Sequence, residues 1–168
     1  MRALLLVLLL LSSLSLSAQK ADSRAVTSID GIVNEVLNII SGEQGKQRDW
    51  EQFRNLFLPT AQFAVLYHKD NGSKLINTLT LEEFVRMAGQ AYQNDGFLEY
   101  EISQHVDEYN GIAQVFQSYY AKELEIEEKG INSFQLVHDG KRWWIFNVLW
   151  TNDRNGVKVP DKYLNLKD

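Results

Sequence analysis

The sequence contains no cysteine, which excludes disulfide bonds, thiolate catalysis and cysteine-based metal sites. Exported eukaryotic domains of similar size often use disulfides, so this absence favours a bacterial envelope or periplasmic protein. Basic residues are also few: 17 lysines and arginines stand against 22 aspartates and glutamates, and they form no cluster. Nucleic-acid binding requires a basic patch that neutralises phosphates, so we expect no nucleic-acid partner.

Long apolar runs are absent except near the N-terminus, where residues 4–11 form one that is too short to span a bilayer. Arg2 precedes this run and small residues up to Ala18 follow it, as in a secretory signal peptide. We expect cleavage after Ala18, with Ser17 as the alternative site and a retained N-terminal anchor as the alternative interpretation. Without residues 1–18 the chain has 150 residues, a net charge of −6 and no membrane span, enough for one domain with a real core.

Residues 25–40 have the apolar spacing of a helix that faces a core. Asp22 or Ser23 is the predicted N-cap of this helix. Gly42 is predicted to end the helix in the left-handed conformation, which glycine adopts without steric cost. This segment is the first of three predicted helices.

Two further helices are predicted from the residues at their ends. Asp49 is placed to cap the second helix, and Pro59 to stop it, because proline disfavours the helical conformation in the residue before it. Thr80 opens the third helix, Glu83 completes a capping box three residues later, and residues 94–96 end it. All three predicted helices therefore lie in the first hundred residues.

Strands dominate from residue 97 onwards, where the apolar period changes from helical to twofold. A short strand pair precedes them, and the predicted strands are residues 61–67, 74–78, 97–108, 112–126 and the two arms of a hairpin within 130–150. Helices early and strands late indicate an α+β fold rather than an alternating α/β fold. Long strands must bend or twist, so we expect a cone: a curved antiparallel sheet with the helices in its concave face and a central cavity.

The turns between these strands are predicted from glycine pairs. Asn110-Gly111 and Asp139-Gly140 both predict type I′ turns, which need positive φ at both residues, and residues 127–130 form a third turn. Trp143 and Trp144 must then point to opposite faces of their strand, one into the cone and one outwards to a subunit contact. The twofold period also puts four residues on one face: Trp144, Phe146, Val148 and Trp150. Which face is concave stays open.

Four runs of the chain have a distinctive composition. They are Trp50-x-x-Phe53-x-x-x-Phe57-x-Pro59-x-Ala61-x-Phe63, Phe97-x-Glu99-x-Glu101-Ile102, Gly111-Ile112-Ala113-x-Val115-Phe116-x-Ser118-Tyr119, and Gly130-Ile131-Asn132-Ser133-x-Gln135-Leu136 running into Asp139-Gly140-Lys141-Arg142-Trp143-Trp144-Ile145. Through these runs the chain resembles, over residues 25–150, the nuclear transport factor 2-like superfamily and within it the exported, SnoaL-like proteins of bacteria. The resemblance implies a cone-shaped α+β barrel of the cystatin-like kind, often a homodimer through the outer face of its sheet. The superfamily includes isomerases, dehydratases, epoxide hydrolases, cyclases and many non-enzymes, so this fold does not determine function.

Enzymes of this superfamily typically place an aspartate deep in the cone as a general base, and no aspartate here lies mid-strand on an apolar face. The remaining acid–base candidates are Tyr119 and three residues that share one strand face by twofold spacing, Glu99, Glu101 and His105. The alternative, which we favour, is a solvated or dimer-facing polar surface whose charges pair across strands. We expect no metal site from these residues, because no second ligand cluster accompanies them.

Neutral polar and aromatic residues in predicted strands are the candidates for ligand binding, because a few hydrogen-bonding groups in an apolar wall make a small-ligand site. They are Tyr67, Ser118, Ser133, Gln135, Asn147 and Trp150. The alternative is that these groups bond to one another and merely fill the cone.

The sequence therefore predicts an exported protein with an NTF2-like domain over residues 25–152 and an irregular tail over residues 153–168. We expect it to bind a small, largely apolar molecule in its cone or to act as an accessory module, as a homodimer and without a cofactor. The alternative is a cofactor-independent acid–base enzyme of the isomerase, dehydratase or hydrolase kind, with the cone as active site. A third alternative is an interaction protein whose cone is filled by Trp144 or Trp150.

Overall fold

The computed structural model describes residues 24–69, 71–154 and 156–164, so the predicted signal peptide lies outside the described residues. The described chain contains a 3₁₀ turn (Ala25–Thr27), α1 (Ile29–Ile40), α2 (Trp50–Arg54), β1 (Phe57–His68), β2 (Lys74–Thr80), α3 (Leu81–Asp95), β3 (Leu98–Tyr109), β4 (Ile112–Glu123), β5 (Ile126–His138), β6 (Trp143–Asn152) and a last 3₁₀ turn (Asp161–Tyr163). Within these residues, no helix is both long enough and apolar enough to cross a membrane.

The strands that the structure describes form one curved, unclosed sheet in the order β2-β1-β6-β5-β4-β3. Strands β3 to β6 pair with their neighbours in antiparallel fashion, and β1 joins β6 in parallel. Register shifts interrupt the β3–β4, β5–β6 and β1–β6 pairings, and such bulges bend a sheet. The predicted α+β cone is confirmed.

The helices bury their apolar faces against the concave side of the sheet. Phe53 of α2 stacks on Phe84 of α3 at 5.4 Å between ring centroids, and Phe84 stacks on Phe63 of β1 at 4.6 Å. Phe53 and Phe63 are almost completely buried. Truncating such a buried phenylalanine typically costs about 3–5 kcal/mol, so these rings tie the helices to the sheet.

Both ends of α1 differ from the prediction. The helix begins at Ile29, where Ser28 Oγ caps it by accepting a hydrogen bond from a first-turn N–H, and the predicted caps Asp22 and Ser23 lie outside the described residues. Gly42 was predicted to be left-handed, which is wrong. Its N–H and C=O instead pair with Phe97 at 2.6 and 2.9 Å, which fixes the end of α1 to the start of β3.

Helix α2 starts as predicted and ends earlier. Asp49 Oδ1 accepts a hydrogen bond from Gln52 N at 2.8 Å, which confirms the predicted cap. The chain then leaves the helix at Asn55 and enters β1 at Phe57, so Pro59 lies in the strand rather than stopping the helix.

Two local predictions from short motifs are confirmed. Thr80 and Glu83 form the complete capping box of α3, with Thr80 N donating to Glu83 Oε2 at 2.8 Å. Asn110 and Gly111 have φ values of 50° and 82° and join β3 to β4 as a two-residue turn. The turn predicted at residues 127–130 is wrong, because the chain reverses at Leu124 (φ 53°) and those residues belong to β5.

The loop at Asp139-Gly140 is not a two-residue type I′ turn. Only Gly140 of the pair has a positive φ, at 92°, and the loop spans residues 139–142. Asp139 Oδ1 instead accepts hydrogen bonds from the backbone N–H groups of Lys141 and Arg142 at 2.8 and 2.9 Å. Asp139 Oδ2 accepts a third bond from Trp144 Nε1 at 2.8 Å, so one carboxylate organises the whole loop.

The two adjacent tryptophans point to opposite faces, as predicted. Trp143 is buried in the core, whereas Trp144 lies on the outer face with the Arg142 guanidinium 3.8 Å from its ring centroid. The prediction of one shared face in β6 is wrong, because a register shift occurs opposite Gln135. It leaves Trp144 and Phe146 outside and Val148 and Trp150 inside.

Candidate functional site

A cavity of about 280 Å³ lies between the helices and the concave face of the sheet. Much of its wall is apolar, with side chains that include Val36, Leu37, Ile40, Phe53, Phe63, Phe84, Ala88, Ala91, Phe134, Val148 and Trp150. Trp150 forms part of this wall and contacts Phe84 edge-on at 6.2 Å. The cone is therefore not filled by Trp150, and Trp144 lies outside it.

Glu99 is the best-defined polar group of the cavity. Its Oε1 accepts a hydrogen bond from Asn132 Nδ2 at 2.7 Å, and the same amide group of Asn132 donates to Gln117 Oε1 at 3.2 Å. Burial raises the pKa of Glu99 to about 7, an effect that the Asn132 bond opposes and the charge of Glu128 reinforces. Near neutral pH this carboxyl group is therefore poised to gain or lose a proton.

A second carboxyl group lies close to a phenol in the same cavity. Tyr119 O–H donates to Glu128 Oε1 at 3.5 Å, and Asn152 Nδ2 donates to Glu128 Oε2 at 2.8 Å. Burial raises the pKa of Glu128, whereas the bond from Asn152 and the charge of Arg154 lower it. Burial also raises the pKa of the Tyr119 phenol, which therefore stays a hydrogen-bond donor at neutral pH.

The position of Tyr119 depends on a glycine. Gly130 is paired with Tyr119 between β4 and β5, and the phenol ring lies where a side chain on residue 130 would stand. A Cβ atom there would collide with the Tyr119 ring and with Thr151 O. Gly130 thus leaves the space through which Tyr119 reaches Glu128.

Glu123 adds a third carboxyl group to the lining of the cavity, beside Tyr67, Tyr92 and Arg154. Burial raises the pKa of Glu123, the charges of Asp95 and Glu128 raise it further, and Arg154 lowers it. Burial, together with the charges of Glu128 and Glu123, also raises the pKa of Tyr67. The carboxyl and phenol groups therefore line the same cavity, and their charges act on one another's pKa.

A buried arginine holds the ends of the helices that carry this lining. Arg48 donates hydrogen bonds to Ile40 O at 3.1 Å, Gly42 O at 2.7 Å and Tyr92 O at 2.7 Å. Its guanidinium also lies 5.9 Å from the centroid of the Tyr92 ring. Burial lowers the pKa of Arg48, but an arginine stays charged at any physiological pH, so these hydrogen bonds do not depend on pH.

The predicted acid–base candidates are divided by the structure. Glu99 and Tyr119 line the cavity. Glu101 lies on the same face as Glu99 but does not line the cavity, and its Oε2 accepts a hydrogen bond from buried Gln117 Nε2 at 2.7 Å. His105 lies on the outer face with Nε2 3.4 Å from Asp107 Oδ2, because the register shift after Glu101 reverses the alternation of β3. The predicted shared face therefore holds for Glu99 and Glu101 but is wrong for His105.

The predicted ligand-binding residues are divided as well. Tyr67 and Trp150 line the cavity. Ser133, Gln135 and Asn147 lie on the outer face, where Ser133 Oγ accepts from Gln114 Nε2 at 2.7 Å and Asn147 Nδ2 donates to Gln135 Oε1 at 3.0 Å. Ser118 also points outwards, and its hydroxyl donates to the backbone oxygen of Tyr163. Residues 156–164 thus cover part of the outer sheet face, with the Tyr163 ring 5.2 Å from that of Phe116.

Sequence reasoning missed Glu123, Glu128, Asn132, Asn152 and Arg154 as lining residues. A twofold pattern that starts at Glu128 would have found two of them, because alternate residues from there point inwards along β5. Both of these residues, Glu128 and Asn132, are polar, so the pattern could have been recognised in the sequence. Within the part of the chain that the structure describes, no group of three or more His, Cys, Asp or Glu side chains could hold a metal ion.

No protein-family model and no curated protein sequence matches the chain. Solved structures do match it. A hexachlorocyclohexane dehydrochlorinase, LinA-type3 from Novosphingobium barchaimii, superposes with a TM-score of 0.59 at 12% identity and covers 82% of this chain and 94% of its own. A Nostoc punctiforme protein of unknown function with a cystatin-like fold gives 0.56 at 10% identity, covering 77% and 95%. A nuclear transport factor 2-like superfamily protein from Salmonella enterica gives 0.54 at 13% identity, covering 72% and 85%.

The fold and the cavity together define a cone-shaped α+β protein with an internal pocket. More specifically, this chain has the nuclear transport factor 2-like fold, and the predicted resemblance is confirmed at that level. At these identities the likeness describes the fold alone, and the function depends on the residues of the cavity.

Proposed function

We propose that this protein is an exported small-molecule-binding protein whose cone receives a small, largely apolar molecule. The observation that carries the proposal is the cavity of about 280 Å³, which stays open in a core that is otherwise closely packed. Its apolar wall and its few polar groups at one end are the usual composition of a small-ligand site. The wall gives affinity by burying apolar surface, and the polar end orients the ligand.

A neutral aromatic alcohol, 1-naphthalenemethanol, tests this binding by isothermal titration calorimetry. We expect saturable binding that is lost when Ala91, which lines the cavity, is replaced in Ala91→Phe. Gln90→Phe is the matched control, because Gln90 is exposed on the same helix and its replacement leaves the cavity open. Equal binding by both variants, or no binding by the unaltered protein, would contradict the proposal.

A second candidate function is acid–base catalysis, and the position of Glu99 favours it. A carboxyl group with a pKa of about 7 inside a cavity, close to the Tyr119 phenol, matches what a general base and an oxyanion donor require. The same fold serves a dehydrochlorinase, so the frame is compatible with enzyme chemistry. The test is NMR measurement of how much the protein accelerates exchange of the α-protons of 2-tetralone in deuterated water. Glu99→Gln should abolish this acceleration and leave the rate that is seen without protein.

The proposed homodimer would use the outer face of the sheet. Ile112, Phe146 and Leu149 expose 60%, 43% and 48% of their surface there, and apolar groups of this size often mark subunit contacts. Light scattering after gel filtration should give twice the chain mass, and Phe146→Glu should give the monomer mass. A monomeric unaltered protein would exclude this arrangement.

Export and signal cleavage form the remaining part of the proposal. They rest on the pattern of Arg2, the apolar run and the small residues before Gln19. The full chain expressed in a bacterial host should appear in the periplasmic fraction with an intact mass that lacks residues 1–18. A full-length product in the cytoplasm would contradict export.

A further inference from the structure

We propose that the natural ligand of the cavity carries a protonated organic amine on its apolar body, and that the amine lies among Glu99, Glu123 and Glu128. This inference rests on the proposed small-molecule site and names the chemical class of its ligand. Its basis is the sign of the charge at the polar end, the aromatic rings beside it and the lining carboxyl groups that keep oxygen atoms without a protein hydrogen-bond partner.

Charge at the polar end of the cavity is strongly one-sided. Glu99, Glu123 and Glu128 come from β3, β4 and β5, which are neighbouring strands, so their carboxyl groups converge from one side of the cone. Among the described lining residues, Arg154 is the only basic side chain. An anionic ligand would meet like charges in a poorly solvated space, whereas a cation would find the counter-charge that the wall already provides.

Hydrogen-bond capacity at these carboxyl groups is not exhausted. Both oxygens of Glu128 have partners in Tyr119 and Asn152, and one oxygen of Glu99 has a partner in Asn132. Among the described residues, the second oxygen of Glu99 and the Glu123 carboxyl group have no hydrogen-bond partner. An ammonium group has up to three N–H donors and no acceptor, which suits these free acceptors.

Aromatic side chains complete the environment that a cation prefers. Tyr67 and Trp150 line the same cavity as the carboxyl groups, and the Tyr67 phenol lies close enough to Glu123 and Glu128 for their charges to raise its pKa. Aromatic faces attract ammonium groups by their quadrupole, most strongly where water is excluded. Tyr92 is set apart, because Arg48 already lies over its ring.

The titration of the cavity makes the preference dependent on pH. The pKa values of these carboxyl groups respond to Asp95, Asp153, Arg154 and the Tyr119 hydroxyl and to the charge of Glu128, while the carboxyl charges in turn raise the pKa values of Tyr67, Tyr92 and Tyr119. Burial raises the pKa of all three carboxyl groups, to about 7 for Glu99. Protonation at low pH therefore removes the negative charge that holds the amine, while the apolar contacts remain.

Three probes of nearly equal shape separate charge from apolar contact: 1-naphthylmethylamine, 1-naphthalenemethanol and 1-naphthoate. Calorimetric titration of the full chain at about pH 8 should give dissociation constants lowest for the amine, on the order of tenfold below the alcohol, and no measurable binding of the carboxylate. At about pH 5 the preference for the amine over the alcohol should shrink to about threefold or less.

Charge-neutral variants locate the amine. Glu123→Gln and Glu128→Gln should each lower the affinity for the amine several-fold more than the affinity for the alcohol at about pH 8, and the remaining binding of the alcohol shows that the variants fold. Glu127→Gln is the matched control, because Glu127 precedes Glu128 on β5 but is exposed and lies 3.7 Å from Lys122 Nζ. It should leave all three affinities unchanged.

The outcomes distinguish the amine assignment from the small-molecule site. If the alcohol binds as tightly as the amine, or if Glu127→Gln acts like Glu128→Gln, the amine assignment is overturned and the small-molecule site stands. If none of the three probes binds, both the site and the amine assignment are overturned. If the amine binds more tightly than the alcohol at about pH 8 and this difference shrinks at about pH 5, both claims are supported.

Discussion

Asn132 of β5 and Glu99 of β3 are hydrogen-bonded to each other across the strand that separates them, with Asn132 Nδ2 and Glu99 Oε1 2.7 Å apart. Gln117 of β4 is the register partner of Asn132 and accepts a second bond from the same Asn132 amide. The bond fixes an ionisable carboxyl group inside the cavity, and most of the expected behaviour of the site follows from it.

The charge of Glu99 should cost stability at high pH. Its pKa is raised from 4.5 to about 7 on folding, so the folded state binds more protons than the unfolded state between these values. Stability therefore falls by about 1 to 3 kcal/mol as the pH rises through this window, and it levels off above the window. The lower part of this range applies where water in the cavity screens the charge of Glu99. In urea unfolding, the free energy of unfolding of Glu99→Gln should rise relative to that of the unaltered protein as the pH increases through the same window.

Glu127→Gln is the control for this measurement, because it removes the same charge from an exposed site beside Lys122. Its stability relative to the unaltered protein should not change between about pH 4.5 and about pH 7. A Glu99→Gln curve parallel to that of the unaltered protein would show that Glu99 titrates as a solvated carboxyl group.

Removing the amide of Asn132 should raise the pKa of Glu99 further. The bond from Asn132 favours the charged form and is the main effect that opposes burial. Carbon-detected NMR titration of Asn132→Ala should therefore place the pKa of Glu99 above 7. The loss of partners for Glu99 and for buried Gln117 should also destabilise the fold by about 1–3 kcal/mol.

Asn147→Ala is matched to this change on the other face of the sheet. Asn147 also donates a hydrogen bond from its side-chain amide to a neighbouring strand, to Gln135 Oε1 at 3.0 Å, but it lies outside the cavity lining. The pKa of Glu99 should be the same in this variant as in the unaltered protein. A shift of equal size in both variants would mean that the pKa of Glu99 responds to general loosening of the sheet.

The sequence predicted the α+β cone because its signals are local. The capping box of Thr80 and Glu83 and the turn of Asn110 and Gly111 each need only a few adjacent residues. The distribution of helices before strands then indicates an α+β fold, and the length of the strands indicates that the sheet is curved. None of these signals depends on how distant strands are aligned.

The face on which a strand residue lies does depend on alignment, and here the prediction failed in part. A register shift between Glu101 and Ser103 sends His105 outwards, although simple alternation puts it with Glu99. A bulge arises where neighbouring strands curve differently, so a single strand cannot reveal it. Glu128 was missed for a related reason, because polar residues at the start of β5 resemble a turn.

Replacing Asp139 with asparagine should weaken the loop between β5 and β6. The bond from Trp144 Nε1, and then those from the Arg142 and Lys141 backbone, hold the pKa of Asp139 at about 2, below its usual 3.8. A depressed pKa contributes stability above about pH 4 that is lost as the pH falls towards 2. Asp139→Asn should thus be less stable than the unaltered protein at neutral pH, with the difference shrinking on acidification, as urea unfolding can measure.

Asp161→Asn is a suitable control, because it removes the same charge from an exposed position in the last 3₁₀ turn. It should leave the pH dependence of unfolding unchanged. Equal behaviour of the two variants would contradict a special role for the Asp139 carboxylate.

Gly130→Ala should be strongly destabilising, although Gly130 needs no left-handed backbone. The added Cβ would collide with Thr151 O, which the sheet holds in place, and with the Tyr119 ring. Overpacking of this kind typically costs about 1–3 kcal/mol. Gly89→Ala is the control: its Cβ would lie 3.4 Å from Trp50 Nε1, an ordinary contact, and alanine in a helix should add about 0.5–1 kcal/mol.

The double variant Gly130→Ala with Tyr119→Val identifies the cause of this cost. If the Tyr119 ring is a main obstacle, the two changes lose less together than the sum of their separate losses, because valine leaves room for the new methyl group. The coupling should be at least about 1 kcal/mol in urea unfolding. Additive losses would show instead that Thr151 O alone resists the methyl group, and that Tyr119 reaches Glu128 without depending on the glycine beneath it.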